Sequence, residues 1–391
     1  MPIKKRASDY KFLVKPHVHV KSVVELEGKH NTYCFNEPKR HRGVFNGVYS
    51  GQCSEITIFS DTNNIGVCNL ASVCLPKFVK KHGDEVVFDY AHLGRVMEVV
   101  TVNMNKVMDN NKYPLDQAKH SDDQNRPIGI GVQGLAEVFM MMKVSFDSSK
   151  AMDVNKRIFE TMYYHALVAS NKLAQAYGAY PTFPTSMTAQ GLLQFDLWNV
   201  TPTDMWDWSS LRNDIAAHGL RNSLLMAIMP TAGTSIISGH TESVEPPQSN
   251  IFTRSTLSGR FQVVNKHLMK DLKALGLWTK KIRNKIIEAE GSVSGIEEIP
   301  QSIRDVYKTV YEYKLTSLIK MNADRECYVC QASSNNRYLP MPDMGLLTNM
   351  HLYSWKYGLK TSSYYVRIRQ LQTGAKYLDK PAEEECLSCQ A

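Results

Sequence analysis

Apolar residues recur at spacings of three and four along much of the chain, which is the pattern of helices with one buried face. Glycines follow several of these stretches at the place where a helix C-terminus is expected, namely Gly178, Gly276, Gly291 and Gly358. The pattern therefore predicts six helices, at residues 93–108, 154–177, 264–275, 279–290, 303–320 and 344–357.

Short apolar or β-branched runs lie between the predicted helices and are typical of strands. They are residues 223–229 (SLLMAIM), 328–332 and 363–367. Alternating strands and helices favour an α/β layer or barrel architecture. Residues 1–50 are rich in Lys, Arg and His without periodicity, and we expect them to be loop-rich. Residues 376–391 are acidic and unpatterned, and we expect a flexible tail.

Composition describes an ordinary globular protein. The chain has 391 residues, 43% of them hydrophobic and 21% charged, which is enough to bury a sizeable core. The net charge of +8 is scattered along the chain and favours anionic ligands only weakly, with no sign of a nucleic-acid partner. No apolar run is long enough to span a bilayer and no signal peptide is evident, so we expect a cytoplasmic protein without a membrane partner.

Eight cysteines are too few for a secreted disulfide framework in a chain of this length. Cys53 is followed by Glu55 and, further on, by Cys68. In an extended segment Cys53 and Glu55 share one face, so that a thiol and a base can meet one substrate. The alternative is small buried thiols beside a surface carboxylate, and it is the more frequent outcome for such a pair.

The turn formed by Pro230, Thr231, Ala232, Gly233 and Thr234 follows a predicted strand and offers amides and hydroxyls at a possible helix N-terminus. Unpaired N–H groups at such a position attract phosphate. An ordinary capped turn is an equally good interpretation.

Cys386 and Cys389 form a C-x-x-C pair in the acidic tail, which suits thiol–disulfide exchange with a buried partner. The rival interpretation is half of a zinc site with Cys327 and Cys330, whose separation from the tail exceeds the usual spacing. We therefore expect no bound metal. The neighbours Tyr364 and Tyr365 would point to opposite faces of a regular strand, so stacking them requires a local break.

Several longer motifs occur together in one order. They are residues 125–136 (NRPIGIGVQGLA), 196–208 (DLWNVTPTDMWDW), 220–225 (LRNSLL), 229–234 (MPTAGT), 242–246 (ESVEP) and 350–361 (MHLYSWKYGLKT). In this order the chain resembles the catalytic large subunit of class I ribonucleotide reductase, in its eukaryotic and large-DNA-virus branch. The resemblance begins near Cys53 and covers only the C-terminal half of that family.

The resemblance implies an α/β fold, the C-terminal half of the family's ten-stranded α/β barrel with a flexible C-terminal tail. It divides the chain into a divergent leading segment (1–50), the barrel region (51–375) and a redox tail (376–391). It implies that Cys53 is the thiyl radical that takes the 3′-hydrogen of a ribonucleotide, with Glu55 as base for the 3′-hydroxyl. Cys68 matches one of the two thiols that reduce the 2′ position.

Further roles follow from the same resemblance. Tyr364 and Tyr365 match the stacked pair that carries the radical equivalent from the metal site of a small subunit. Cys386 and Cys389 match the tail thiols that re-reduce the site and are recharged by thioredoxin or glutaredoxin. Residues 230–234 match the cradle for the substrate diphosphate.

The implied function is reduction of ribonucleoside diphosphates to deoxyribonucleoside diphosphates, as part of a split or truncated large subunit. No cofactor is expected to bind this chain directly. The expected partners are a small subunit and a separate N-terminal half of the large subunit. Gly51 stands where the family carries Asn, a residue that orients substrate. This departure and the missing half favour the alternative, an inactive reductase-like scaffold that binds reductase subunits or another partner.

Overall fold

A computed structural model describes residues 42–45, 48–51, 58–67, 69–256, 259–341 and 343–369. The chain divides into two units between Ser54 and Glu55. In the first unit β1 (Arg42–Phe45) pairs with β2 (Val48–Gly51) as an antiparallel hairpin. The loop-rich interpretation of residues 1–50 is therefore wrong for this stretch. The Asn-Gly dipeptide at positions 46 and 47 is a strong hairpin signal that the interpretation passes over.

The second unit contains all the other described elements. Its strands are β3 (Asn69–Cys74), β4 (Val79–His82), β5 (Glu85–Phe88), β6 (Ile128–Gln133), β7 (Ile251–Thr256), β8 (Gly259–Val264), β9 (Arg337–Leu339) and β10 (Val366–Ile368). Its helices are α1 (Tyr90–Asn110), α2 (Asp116–Asn125), α3 (Leu135–Met141), α4 (Ser149–Tyr177), α5 (Trp208–His218), α6 (Ala232–Ser238), α7 (Lys266–Ala274), α8 (Lys280–Glu288), α9 (Gln301–Val306), α10 (Leu315–Glu326) and α11 (Met344–Lys356). Among the described residues, no helix is both long enough and apolar enough to cross a membrane.

The long helices α1 and α4 form where the apolar spacing predicts them, and local signals fix their ends. The Asp89 side chain accepts the N–H of His92 at the start of α1, and the Ser148 hydroxyl accepts the N–H of Ala151 at the start of α4. Helix α4 ends at Gly178, whose φ of 82° suits glycine far better than other residues. The two helices pack against each other, and α1 also packs on β3 and β6.

The single helix predicted over residues 303–320 is wrong. Helix α9 ends at Val306 and α10 begins only at Leu315. Between them, the Tyr307 carbonyl accepts a hydrogen bond from the Asn250 side chain (2.7 Å), and the Val310 N–H donates to the carbonyl of Pro247 (2.8 Å). Partners from a distant loop thus take backbone groups that a continuous helix would pair internally.

The strand predicted at residues 328–332 forms only in its second half. The N–H groups of Tyr328 and Val329 donate to carbonyls in the last turn of α10, so these two residues prolong the helix end. Gln331 and Ala332 are hydrogen-bonded to Met226 and Ile228. The ladder forms further on, in β9, where Arg337–Leu339 pairs in parallel with β10. The stretch predicted as a strand at 223–229 is hydrogen-bonded to its neighbours from Leu224 to Ile228, with bridges at Met226 and Ile228.

Five extended segments nevertheless lie side by side in chain order, and all their pairings are parallel. Strand β3 pairs with β6, Ile130 of β6 bridges Met226, Ile228 bridges Ser333, and β9 pairs with β10. Within the described residues the order never reverses, whereas a doubly wound sheet has a switch point at which its strand order reverses. Consecutive parallel strands with helical crossovers are the arrangement of an α/β barrel wall. The predicted α/β fold is confirmed.

The middle of this array is tightly packed around β6, all six residues of which are buried. Ile128, Ile130 and Val132 alternate with Gly129, Gly131 and a glutamine. A Cβ atom on Gly131 would lie only 2.5 Å from the Ala227 carbonyl oxygen, so the neighbouring segment approaches too closely for any side chain.

Candidate functional site

Tyr364 and Tyr365 form a contacting aromatic pair immediately before β10. Their ring centroids are 4.1 Å apart and their hydroxyl oxygens 3.4 Å apart. The backbone bends at Tyr364 and becomes regular only at Val366. This irregular backbone is the local break that the sequence requires for two neighbouring tyrosines to meet.

The backbone of the tyrosine pair is fixed by the neighbouring segment. The Tyr364 N–H donates to the Asn335 carbonyl, and the Tyr365 carbonyl accepts the Arg337 N–H, each at 2.7 Å. Two such bonds on consecutive residues leave the pair little freedom to slide along the array.

The turn 230–234 follows the extended segment that contains Met226 and Ile228. The helix predicted at this turn is present as α6. Thr231 is buried with φ at 56°, in the left-handed region that threonine rarely adopts. Its hydroxyl accepts the Ser243 N–H (2.8 Å), while its carbonyl accepts the Ser235 N–H (2.9 Å). Ala232, Gly233 and Thr234 are exposed. The turn thus presents an exposed stretch on a rigidly held base.

The register of the array relates the turn to the tyrosines. Ile228 bridges Ser333, so Pro230 lies at about the level of Asn335, to whose carbonyl Tyr364 is bonded. Neighbouring strands are about 4.8 Å apart, which puts the two backbones roughly 10 Å apart across the array. The structure therefore brings these two groups of sequence-predicted residues into one region.

Charged side chains lie close to the segment that follows Asn335. Glu245 accepts hydrogen bonds from the Asn336 N–H (2.9 Å), the Asn336 side chain (3.0 Å) and the Tyr338 hydroxyl. Burial, followed by the charge of Glu245, raises the pKa of Glu242 and that of Tyr338. The buried Arg337 donates from Nε to the Ser362 carbonyl (2.7 Å). Sequence reasoning singles out none of these residues individually, and only Glu242 and Glu245 fall within one of its motifs.

A second carboxylate, Glu137 of α3, is the centre of an ionic cluster. It accepts hydrogen bonds from His240 (3.0 Å) and His267 (3.2 Å), and Lys266 lies 3.1 Å away. Burial alone would raise the pKa of Glu137, but the hydrogen bonds from the two histidines and the Lys266 charge lower it to about 2. This cluster borders a cavity of about 510 Å³ that also reaches Tyr338.

Cys327 and Cys330, the predicted rival zinc ligands, are packed into the fold. Burial raises the pKa of Cys327 to about 12. The Cys330 sulfur accepts the N–H groups of Leu225 and Met226, each at 3.0 Å. No group of three potential metal ligands occurs among the residues that the structure describes.

The remaining predicted site residues lie outside the described residues. They are Cys53, Glu55, Cys68, Cys386 and Cys389. Their roles stay predictions, and the geometry above concerns the tyrosine pair and the turn 230–234.

Residues 42–365 match the family described as ribonucleotide reductase, barrel domain. The chain is 48% identical over 334 residues to the ribonucleoside-diphosphate reductase large subunit of Caenorhabditis elegans, covering 85% of this chain and 42% of that protein. It is 42% identical over 399 residues to the large subunit of Monkeypox virus, covering 98% and 51%. The chain thus spans about half or less of the length of these relatives.

Among solved structures, the chain is similar to the alpha subunit of a class Id ribonucleotide reductase from Actinobacillus ureae. The TM-score is 0.63 and the sequence identity 27%, over 82% of this chain and 53% of that one. A similarity over this share of the chain agrees with the α/β fold inferred from the strand order.

Proposed function

The chain belongs to the ribonucleotide reductase family, as its barrel-domain match and its identity to large subunits show. We propose that it supplies the radical-transfer and diphosphate-binding parts of a ribonucleoside-diphosphate reductase. The observation that carries the proposal is the tyrosine pair, with hydroxyls 3.4 Å apart, in the same region as the turn 230–234. The reaction yields deoxyribonucleoside diphosphates, and the compartment we propose is the cytoplasm.

In the proposed reaction the radical equivalent passes from a small subunit through Tyr365 and Tyr364 to Cys53. Between the tyrosines, one electron and one proton move together from the Tyr364 hydroxyl to the Tyr365 phenoxyl oxygen. The Cys53 thiyl then takes the 3′-hydrogen of the ribose while Glu55 accepts the 3′-hydroxyl proton. A hydrogen transfer between two tyrosines requires a close approach of their hydroxyl groups, and the hydroxyl oxygens of this pair are 3.4 Å apart.

Reduction at the 2′ carbon uses the electrons of two thiols. The 2′-hydroxyl leaves as water, and Cys68 and a second thiol become a disulfide. Cys386 and Cys389 return two electrons by thiol–disulfide exchange and are themselves reduced by thioredoxin or glutaredoxin. No cofactor is needed on this chain for these steps.

The turn 230–234 suits a diphosphate for two reasons. The first amides of α6 have no partner within the helix and can donate to phosphate oxygens. Gly233 has open space around its Cα, since a Cβ there would meet no atom within 4 Å. Thr231 keeps the turn in place through its bond to Ser243.

One observation favours the second candidate, a catalytically inactive scaffold for reductase subunits. Gly51 ends β2 two positions before Cys53 and has no side chain with which to orient a substrate. A scaffold would keep the docking surfaces and the fold without turnover.

Turnover in a reconstituted complex distinguishes the two. The full chain is combined with a small subunit, an N-terminal half of a large subunit, thioredoxin and its reductant, and conversion of a ribonucleoside diphosphate is measured. We expect turnover with the wild type, a loss of at least about a thousandfold in Cys53→Ser, and unchanged or higher turnover in Gly51→Asn. Cys74→Ser is the matched control. A wild type as inert as Cys53→Ser would support the scaffold.

A further inference from the structure

Arg367 lies on β10, two positions after Tyr365. Its guanidinium carbon is 5.5 Å from the centroid of the Tyr365 ring, within the range of a cation–π contact. The ring that Arg367 contacts is that of Tyr365, the outer member of the pair in the proposed order. Arg367 therefore distinguishes two tyrosines that are otherwise in direct contact.

A neighbouring arginine shows what is particular about Arg367. Arg369 stacks on Tyr311 at 5.7 Å, but its charge is paired with Glu290 at 2.8 Å. Arg367 has no ion pair within the described part of the chain, and its buried Nε finds no hydrogen-bond acceptor there. Its field at the Tyr365 ring is consequently not cancelled by a carboxylate in contact.

We propose that Arg367 is a positioning residue that directs the radical equivalent inward, from Tyr365 to Tyr364. A cation over an aromatic face stabilises the electron-rich phenol more than the electron-poor phenoxyl radical. In the exchange between the pair, Tyr365 phenoxyl takes one electron and one proton from Tyr364, so both sides of the reaction are neutral and balanced. Arg367 favours the side with Tyr365 reduced, by about two- to fivefold.

The inference rests on the proposed function for its meaning, but its test needs no turnover. 3-Aminotyrosine, which is oxidised more easily than tyrosine, is placed at position 365 of the full chain. The ratio of oxidised to reduced probe is measured by electron paramagnetic resonance against a graded series of one-electron oxidants. The variants are Arg367→Gln, Arg367→Met and Arg367→Lys, with Arg369→Gln as the matched control.

We expect either neutral variant to raise the oxidised fraction at a fixed oxidant by about two- to fivefold. Arg367→Lys and Arg369→Gln should leave the ratio within error, and a probe at position 364 should respond less than one at 365. Variants are compared only where circular dichroism matches the wild type, and the two neutral variants guard against a single folding failure. An unchanged ratio in a folded neutral variant, or an equal response in Arg369→Gln, would overturn the inference.

The outcomes separate the two proposals. If the ratio of oxidised to reduced probe depends on Arg367 but the complex shows no turnover, the role of Arg367 is supported and the reductase function is contradicted. If the ratio is unchanged by substitution of Arg367 and the complex is active, only the proposed role of Arg367 is contradicted.

Discussion

The two faces of β6 differ in the contacts that they make. On the core face, Ile128, Ile130 and Val132 are buried in the main hydrophobic cluster. On the site face, Gly131 approaches Met229 beside the turn 230–234, and Gln133 accepts a hydrogen bond from Ser238 of α6 (2.7 Å). Packing on the core face is stabilised by the volume of its buried side chains. Packing on the site face is stabilised by close backbone approach and by paired polar groups.

This difference shows where tolerance to substitution should lie. Apolar surface removed from water stabilises the core face roughly in proportion to its area, so loss of a large side chain should be costly everywhere along it. The site face should respond instead to single hydrogen bonds, to charge and to added atoms.

The largest effect is expected for Phe159→Ala in α4, on the core side. Phe159 is fully buried, and its truncation leaves a cavity that the packed helices cannot close. We expect a loss of about 3–5 kcal/mol in the free energy of unfolding, measured by chemical denaturation. Val99→Ala on the exposed side of α1 should change it by less than about 0.5 kcal/mol. Equal losses would mean that the core face is not the stabilising one.

A pH effect of at most about 3 kcal/mol is expected from Glu137 on the polar side. Its pKa falls from an ordinary 4.5 to about 2 in the folded protein, so between these pH values the unfolded chain binds more protons. The stabilisation is complete above about pH 4.5 and is lost as the pH falls towards 2. Glu137→Gln should flatten this part of the stability profile. If the substitution leaves the stability profile unaltered, the cluster does not lower the pKa of Glu137 in this way.

Gly131→Ala should cost about 1–3 kcal/mol, because the added Cβ would overlap the Ala227 carbonyl and the backbone must move. Gly233→Ala is the matched control, since its Cβ would enter open space. Differential scanning calorimetry should show a lower Tm for the first variant and a neutral to slightly higher Tm for the second. The reverse order would show that the segments are not in close approach.

The smallest effect, about 1–2 kcal/mol, is expected for Thr231→Val. It leaves the buried Ser243 N–H without its acceptor, and an unpaired buried donor is unfavourable. Thr231→Ser keeps the hydroxyl and should be closer to the wild type in urea denaturation. If the two variants lose the same stability, the hydrogen bond does not hold the turn.

The same contrast explains what the sequence could predict. Helices α1 and α4 and the glycine after α4 follow from local periodicity and capping, and the structure confirms them. The break after α9 depends on Asn250 and Pro247, more than fifty residues away, and periodicity carries no such information.

The candidate site divides in a similar way. The turn 230–234 and the tyrosine pair are recognisable from local sequence and family motifs. Arg367 and Glu137 are not, because each acts through partners that only the fold brings near, such as the Tyr365 ring or the two histidines. A lone Arg or Glu in the sequence is most often a solvated surface charge.

The most direct test of the central claim is turnover after removal of one hydroxyl at a time. In the reconstituted complex, Tyr364→Phe and Tyr365→Phe remove the hydrogen that each residue exchanges, while the rings still pack. We expect both variants to fold, to bind the small subunit and to fall to background turnover, whereas Tyr311→Phe, next to the same strand, stays active. Full turnover in either variant of the pair would contradict radical transfer through these tyrosines.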